Sequence, residues 1–495
     1  MELDRSLGTS ARSSLKWAGG ILLLRGVLQF ATMLVLVRLL TPTDYGSAAL
    51  AQSIVSVFSV LSFGTFVAHA LQARNPDDVD WQAHFTAAVV GNSALTLVAL
   101  GLAWALSFTS HYAAAALPLA VLSVAFIVEV PATLRLRMLQ VAHDWRRYRL
   151  LALCGTFLSC LTSIAIALLG GGVWALVVQP ILFGLPAAFD LVHVAKWRHP
   201  LAWSWDRYRA TASFGATRVI AGLTRNGREL IEQLVLAATY QFAALGIFTR
   251  SLGLASLVAG RIGAVAVEAL YPIITRAERQ SEQFRRYAGL VIRAVAWTTT
   301  PAAILLALTA SDVVTLLYGP KWSAVIPLVP LAAAAVGFAA TATATNSLLL
   351  AHDEIKSCLI VDVTSAALGV ALALWLVPVG LQVYLAALVA HGAGALGLTS
   401  WLLLRSGGID YRYLLAALLP PAVAGAAATC SVLGLRVSLG SIETMPLRLL
   451  AESSLFGFVY LCVLRLGFEQ PLRELIEVAP AGNRLGAILA FAPRS

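Results

Sequence analysis

Apolar residues in this chain gather into long runs of about 20, the length at which a helix crosses the hydrocarbon core of a bilayer. Six such runs fall near 17–39, 46–71, 82–107, 112–130, 150–169 and 172–194. A second series follows near 213–240, 243–271, 290–311, 325–351, 356–377, 381–404, 411–435 and 446–466. The pattern predicts an all-α polytopic membrane protein of about 14 transmembrane helices. An even number places both termini on one side.

One run does not fit a lipid-facing helix. Residues 213–240, SFGATRVIAGLTRNGRELIEQLVLAATY, have the length of a span yet carry Arg218, Arg225, Arg228, Glu229 and Glu232. With about 100° per residue, Arg218, Arg225, Glu229 and Glu232 share a helix face, with Arg228 at its edge, while Val, Ile, Leu and Ala fill the opposite face. Each charge at a bilayer centre costs roughly 2.5–3.5 kcal/mol on insertion scales, so the charged face must line a watery or protein-walled interior. An ion-pair ladder is the alternative, since Arg225 with Glu229 and Arg228 with Glu232 are spaced four apart. After both pairs one positive charge remains, which suits an anionic ligand.

The first span echoes this stretch. Arg25, Gln29 and Thr32 share a face, and adding 200 to these numbers gives Arg225, Glu229 and Glu232. Leu34, Val35, Leu36 and Gly46 likewise land on Leu234, Val235, Leu236 and Gly246. Two tandem halves follow, and repeated bundles place a substrate site at the repeat interface. The expected division is 1–194 as an N-terminal lobe, 195–212 as an amphipathic cytoplasmic linker and 213–404 as a C-terminal lobe. Residues 405–495 then supply two more spans, apolar and without buried charge, and a tail. The eighth span adds Arg250, Arg261 and Glu268 on one face, and Asp362 in the eleventh is an isolated buried acid. In RLLTPTDYG, Thr41, Pro42 and Asp44 form a capping arrangement that starts the second span. A catalytic role for Asp44 is the less favoured reading. The segment KWRHPLAWSWDRYR reads as a surface-lying helix between the lobes.

Composition agrees with the runs: 59% of the 495 residues are hydrophobic, 12% are charged and mean hydropathy is +0.81. The net charge of +10 reflects topology rather than nucleic-acid binding. With the amino terminus cytoplasmic, nearly all Lys and Arg outside the spans fall on the cytoplasmic side, and only Arg38, Lys321, Arg436 and Arg448 on the other. Residues 1–16 are polar and basic and the first apolar run is long enough to span, so no cleavable signal peptide is expected. The five cysteines sit in apolar runs without metal-ligand spacing and read as packing residues. No GxxxxGK[ST] loop occurs, which argues against ATP hydrolysis by this chain.

RLLTPTDYG after the first span, the FG…Glu232…LG pattern across the seventh and eighth, LYPIITR at 270–276 and LYGPKW at 317–322 carry a family resemblance. Together they resemble the bacterial polysaccharide and oligosaccharide flippases of the multidrug/oligosaccharidyl-lipid/polysaccharide exporter superfamily. The resemblance implies two six-helix lobes in a V around a cationic cavity, plus two C-terminal helices. It implies a non-enzymatic, multi-pass protein of the bacterial inner membrane that moves undecaprenyl-pyrophosphate-linked repeat units between leaflets. Membrane lipids, and a polysaccharide polymerase and export machinery, are the further partners it implies. By position, Arg25 is similar to the first-span arginine that related lipid II flippases use near the pyrophosphate.

The expected substrate-binding set is Arg25, Gln29, Arg218, Arg225, Arg228, Arg250 and Arg261. Glu229, Glu232, Glu268 and Asp362 are the candidates for coupling to a proton or sodium gradient. No metal or bound cofactor is expected. Three rivals stand beside this reading: a lipid II flippase, a multidrug antiporter on the same scaffold, and a polytopic lipid-dependent glycosyltransferase or polymerase. The antiporter would favour aromatic and acidic cavity residues, and the enzyme a long external loop.

Overall fold

A computed structural model describes residues 2–62, 79–202, 205–260, 281–439 and 444–478, with the backbone alone for 2–19, 205–218, 220, 221, 439, 477 and 478. The described residues form helices and their connections. In chain order these are α1 (Glu2–Leu39), α2 (Pro42–Val60), α3 (Trp81–Ser107), α4 (Ala113–Val141), α5 (Trp145–Leu168) and α6 (Trp174–Phe189). Then come α7 (Trp205–Ala255), α8 (Glu282–Leu308), α9 (Ala310–Leu317), α10 (Val329–Ala351) and α11 (Ile355–Leu376). The last four are α12 (Leu381–Arg405), α13 (Tyr411–Leu439), α14 (Met445–Gly467) and α15 (Glu469–Val478).

Among the described residues, 12 stretches are long and apolar enough to cross a membrane. They account for the expected runs with two differences. The described part of the second run is α2, 19 residues long, and is not among the 12. The seventh and eighth runs share one stretch, Gly222–Gly260, which is broken at Gln241 (φ 65°, ψ 179°). A positive φ at a residue with a Cβ is strained, and here it turns the chain between two helical segments.

The start of α2 follows from its sequence. Thr41 is extended (φ −94°, ψ 160°), its Oγ1 accepts from Asp44 N at 3.2 Å, and the Asp44 carboxylate accepts from Thr41 N at 2.9 Å. This reciprocal pair satisfies two of the amide donors that a helix start leaves without partners, and Pro42 needs none. Thr41 is thus the N-cap and Asp44 the third helical residue that closes the capping box, the arrangement the sequence favoured.

The chain divides into two compact units, Met1–Gly246 and Ile247–Ser495. In the first, α4 packs against α2, α3 and α6, and α1 packs on α5. A buried ionic knot joins the ends of α4, α5 and α6: Asp190, 5% exposed, accepts from Arg135 at 2.5 Å and from Arg147 at 2.7 Å. Residues 196–202, expected to open a surface helix, are not helical. They run along the start of α3, where Gln82 donates to Pro200 O (2.9 Å) and Ala202 N donates to Thr86 Oγ1 (3.0 Å). Pro200 explains the difference, because it lacks an N–H and disfavours helical geometry at His199 before it.

In the second unit, α8 is the spine against which α10 and α13 pack. Trp297 Nε1 donates to Ala417 O at 3.0 Å, and Tyr460 Oη donates to Trp297 O at 3.1 Å. Arg293, 2% exposed, reaches Pro471 O (3.0 Å) and Glu474 (2.9 Å) and holds α15. The expectation that the last two spans bury no charge is overturned. Glu452 in α14 is 1% exposed and grips Arg436 of α13 through both oxygens, at 2.8 and 2.7 Å. Arg448 forms a second two-pronged pair with Asp312 of α9. A buried carboxylate is tolerable because a guanidinium fork satisfies it. The large apolar side chains that remain exposed, Trp104 and Trp375 among them, are those expected of lipid-facing surfaces.

Candidate functional site

Arg25 sits in α1 within the apolar stretch Gly20–Leu39. Its Nε donates to Thr156 Oγ1 of α5 at 3.1 Å, and its Cζ lies 5.8 Å from the centroid of the Phe183 ring of α6. No carboxylate lies within ion-pair reach of it among the described residues. The contact depends on close packing behind it, since a Cβ at Gly155 would collide with the Phe183 carbonyl. Gly184 similarly lets α6 settle on Val128 and Ala132 of α4. Gln29, one turn beyond Arg25, is exposed.

The charged face of α7 is only partly self-neutralised. Arg228 meets Glu232 at 3.5 Å, and Glu232 is 5% exposed. The Arg225–Glu229 pair that the spacing allowed is not formed. Arg225 is exposed and makes no hydrogen bond or ion pair among the described residues. Glu229, also exposed, accepts instead from Gln233 Nε2 at 3.3 Å. This stretch is fixed to α2, where Asn226 Nδ2 donates to Ser56 O at 2.8 Å and Gly222 faces the Val60 side chain.

Of the remaining candidates, Arg250 and Asp362 fall in the second unit. Arg250, in the second unit, lies near the Tyr318 hydroxyl; burial raises that phenol above its ordinary value and the nearby guanidinium opposes the rise. Tyr318 and Trp322 of the LYGPKW motif are fully buried and meet edge to face, with Gly319 supplying the positive φ (88°) between them. The motif is therefore a packed corner. Asp362, expected to be buried, is exposed and accepts from Asn346 Nδ2 at 3.0 Å. Arg261, Glu268 and LYPIITR lie outside the described residues, as does the side chain of Arg218.

Sequence reasoning missed Thr156, Phe183, Asn226 and Gln233. Thr156 and Phe183 stand in ordinary apolar runs, and only the Gly155–Thr156 pair, small then hydroxylic, hinted at a close crossing. Asn226 and Gln233 were within view as polar residues beside the charged stripe.

All-helical architecture, charged faces inside apolar helices and repeated small-residue crossings define a multi-pass membrane protein. The profile of a family described as "Polysaccharide biosynthesis protein" matches residues 35–327, and the chain belongs to that family. The fold is similar to that of the lipid II flippase MurJ in an inward closed conformation. The TM-score is 0.69 at 11% identity, covering 91% of this chain and 100% of the other. It is also similar to an inward-facing multidrug resistance transporter of the MATE family, of the MOP superfamily. There the TM-score is 0.57 at 15% identity, over 80% of this chain and 95% of the other. No curated protein matches the chain by sequence.

Proposed function

We propose that the protein is a flippase for undecaprenyl-pyrophosphate-linked oligosaccharide repeat units, carrying them from the cytoplasmic to the periplasmic leaflet of a bacterial inner membrane by alternating access. The products would feed exopolysaccharide, capsule or O-antigen synthesis. The observation that carries this reading is Arg25, a guanidinium in an apolar span with a hydroxyl and an aromatic ring for partners and, among the described residues, no carboxylate. A permanent cation in such a place is costly unless an anion visits it. Membership of the polysaccharide biosynthesis family supports the sugar-bearing substrate, and the likeness to MurJ supports a fold able to pass a lipid-linked headgroup.

The physical problem is that a sugar diphosphate cannot cross about 30 Å of hydrocarbon unaided. Arg25 and Arg225 would replace its lost water, the planar guanidinium offering paired N–H donors to phosphate oxygens. Arg218, Arg250 and Arg261 extend this set in the proposal. Arg228 is held by Glu232 at the long distance of 3.5 Å, a contact weak enough for a pyrophosphate to displace. We assign coupling to a proton or sodium gradient to Glu232 in the first place, with Glu229, Glu268 and Asp362 as further candidates.

The test is reconstitution. Purified protein in vesicles should expose an undecaprenyl-pyrophosphate-linked oligosaccharide, supplied in one leaflet, to a lectin or glycosidase on the other side. A rate equal to that of protein-free vesicles, with an imposed proton or sodium gradient, would contradict the proposal.

A further inference from the structure

Thr156 is 1% exposed and carries a single hydroxyl proton, which goes to the Ala152 carbonyl at 2.9 Å. What remains on Oγ1 is acceptor capacity, and it is taken by Arg25 Nε–H at 3.1 Å. The direction of the hydrogen bond is therefore fixed by the α5 backbone. The Phe183 ring lies against the same guanidinium, its centroid 5.8 Å from Cζ, and Gly155 lets α6 come close enough to place it. The Nε donor of the guanidinium is thereby occupied, and the ring packs beside the group. The Nη1 and Nη2 groups, with four of the five N–H donors, make no hydrogen bond among the described residues.

We propose that Thr156 is a positioning residue: by holding Nε it aims the Nη1/Nη2 edge of Arg25 for two-pronged capture of a diphosphate. The inference rests on the proposed function, in which Arg25 grips the headgroup. Without the Thr156 acceptor, the long Arg25 side chain is free to turn its charge toward the membrane surface, as arginines in apolar surroundings do. The guanidinium would keep its charge and lose its aim.

The experiment titrates the purified full-length chain in nanodiscs, separately with undecaprenyl pyrophosphate and with inorganic pyrophosphate. Thr156→Val removes the acceptor at almost unchanged volume and is expected to weaken binding of both probes about tenfold, the scale of one hydrogen bond to a charged group. Thr156→Ser, which keeps the hydroxyl, should restore binding to within about twofold, a rescue that a purely structural role would not give. In an Arg25→Lys background, Thr156→Val should add no further loss, because an ammonium offers no fork to aim. Should Thr156→Val fail to fold, Thr156→Ala against Thr156→Ser carries the same comparison. Wild-type affinity in Thr156→Val, alongside lost binding in Arg25→Ala, would overturn the positioning role and leave the flippase reading standing. Wild-type affinity in Arg25→Ala would remove the flippase reading itself. A loss confined to the lipid probe would also overturn the inference, since it would place the effect on the tail.

Discussion

Gly46 and Gly246 face each other's helix starts reciprocally: a Cβ on Gly46 would collide with the Phe242 carbonyl, and one on Gly246 with the Pro42 carbonyl. Each pair is offset by 200 positions, and the corners that precede them, Thr41 and Gln241, have the same offset. Two helix starts thus cross backbone to backbone, a spacing that only glycine permits. Gly46→Ala and Gly246→Ala should each lower the melting temperature of the purified protein. The cost is on the scale of about 1–3 kcal/mol for overpacking a tight contact. The double variant should lose less than the sum, since the first substitution already separates the helices. Additive losses, read from thermal unfolding followed by tryptophan fluorescence, would contradict a shared crossing.

Asp190 bridges Arg135 and Arg147, one carboxylate shared between two guanidinium groups. Asp190→Asn leaves Arg135 buried without its counter-charge and should destabilise the first unit by about 3–5 kcal/mol. The paired replacement Arg135→Met with Asp190→Leu should recover part of that loss. Thermal unfolding distinguishes the two, and equal destabilisation in both would argue that packing rather than charge sets the cost.

Glu452→Gln removes one partner of the Arg436 pair that ties α13 to α14. Loss of a buried ion-pair partner predicts about 3–5 kcal/mol of destabilisation. The Arg473→Gln change, in a partly exposed pair with Glu469 at 3.4 Å, should cost less than about 1 kcal/mol. Similar melting temperatures for the two variants would show that burial does not separate them.

Glu232 competes with substrate for Arg228 in the proposed mechanism. Glu232→Gln should therefore tighten pyrophosphate binding several-fold, on the order of one displaced weak ion pair. Transport under an imposed gradient should fall in the same variant. Unchanged binding with unchanged transport would remove Glu232 from the mechanism.

The helical class and the spans were legible because 20-residue apolar runs leave little choice of structure. The capping box at Thr41 and Asp44 was legible because its signals are adjacent in sequence. The 200-residue echo survived as a physical crossing at Gly46 and Gly246, where register is enforced by contact. Tertiary partners were not legible. Arg225 and Glu229 had the spacing of a pair, yet Glu229 bonds Gln233, and the neighbouring Asn226 anchors to Ser56. Arg436 and Glu452 looked like a loop cation and an unremarked acid until the α13–α14 hairpin brought them together. Thr156 and Phe183 lie more than 130 positions from Arg25, a distance that no local pattern bridges.

The central claim is that Arg25 serves a visiting diphosphate rather than the fold, and translocation of lipid-linked oligosaccharide by Arg25→Ala in vesicles tests it most directly. The account predicts a rate reduced by at least about tenfold, the worth of one charge-assisted contact, with a melting temperature close to that of the unaltered chain. Translocation at the unaltered rate by folded Arg25→Ala protein would contradict it.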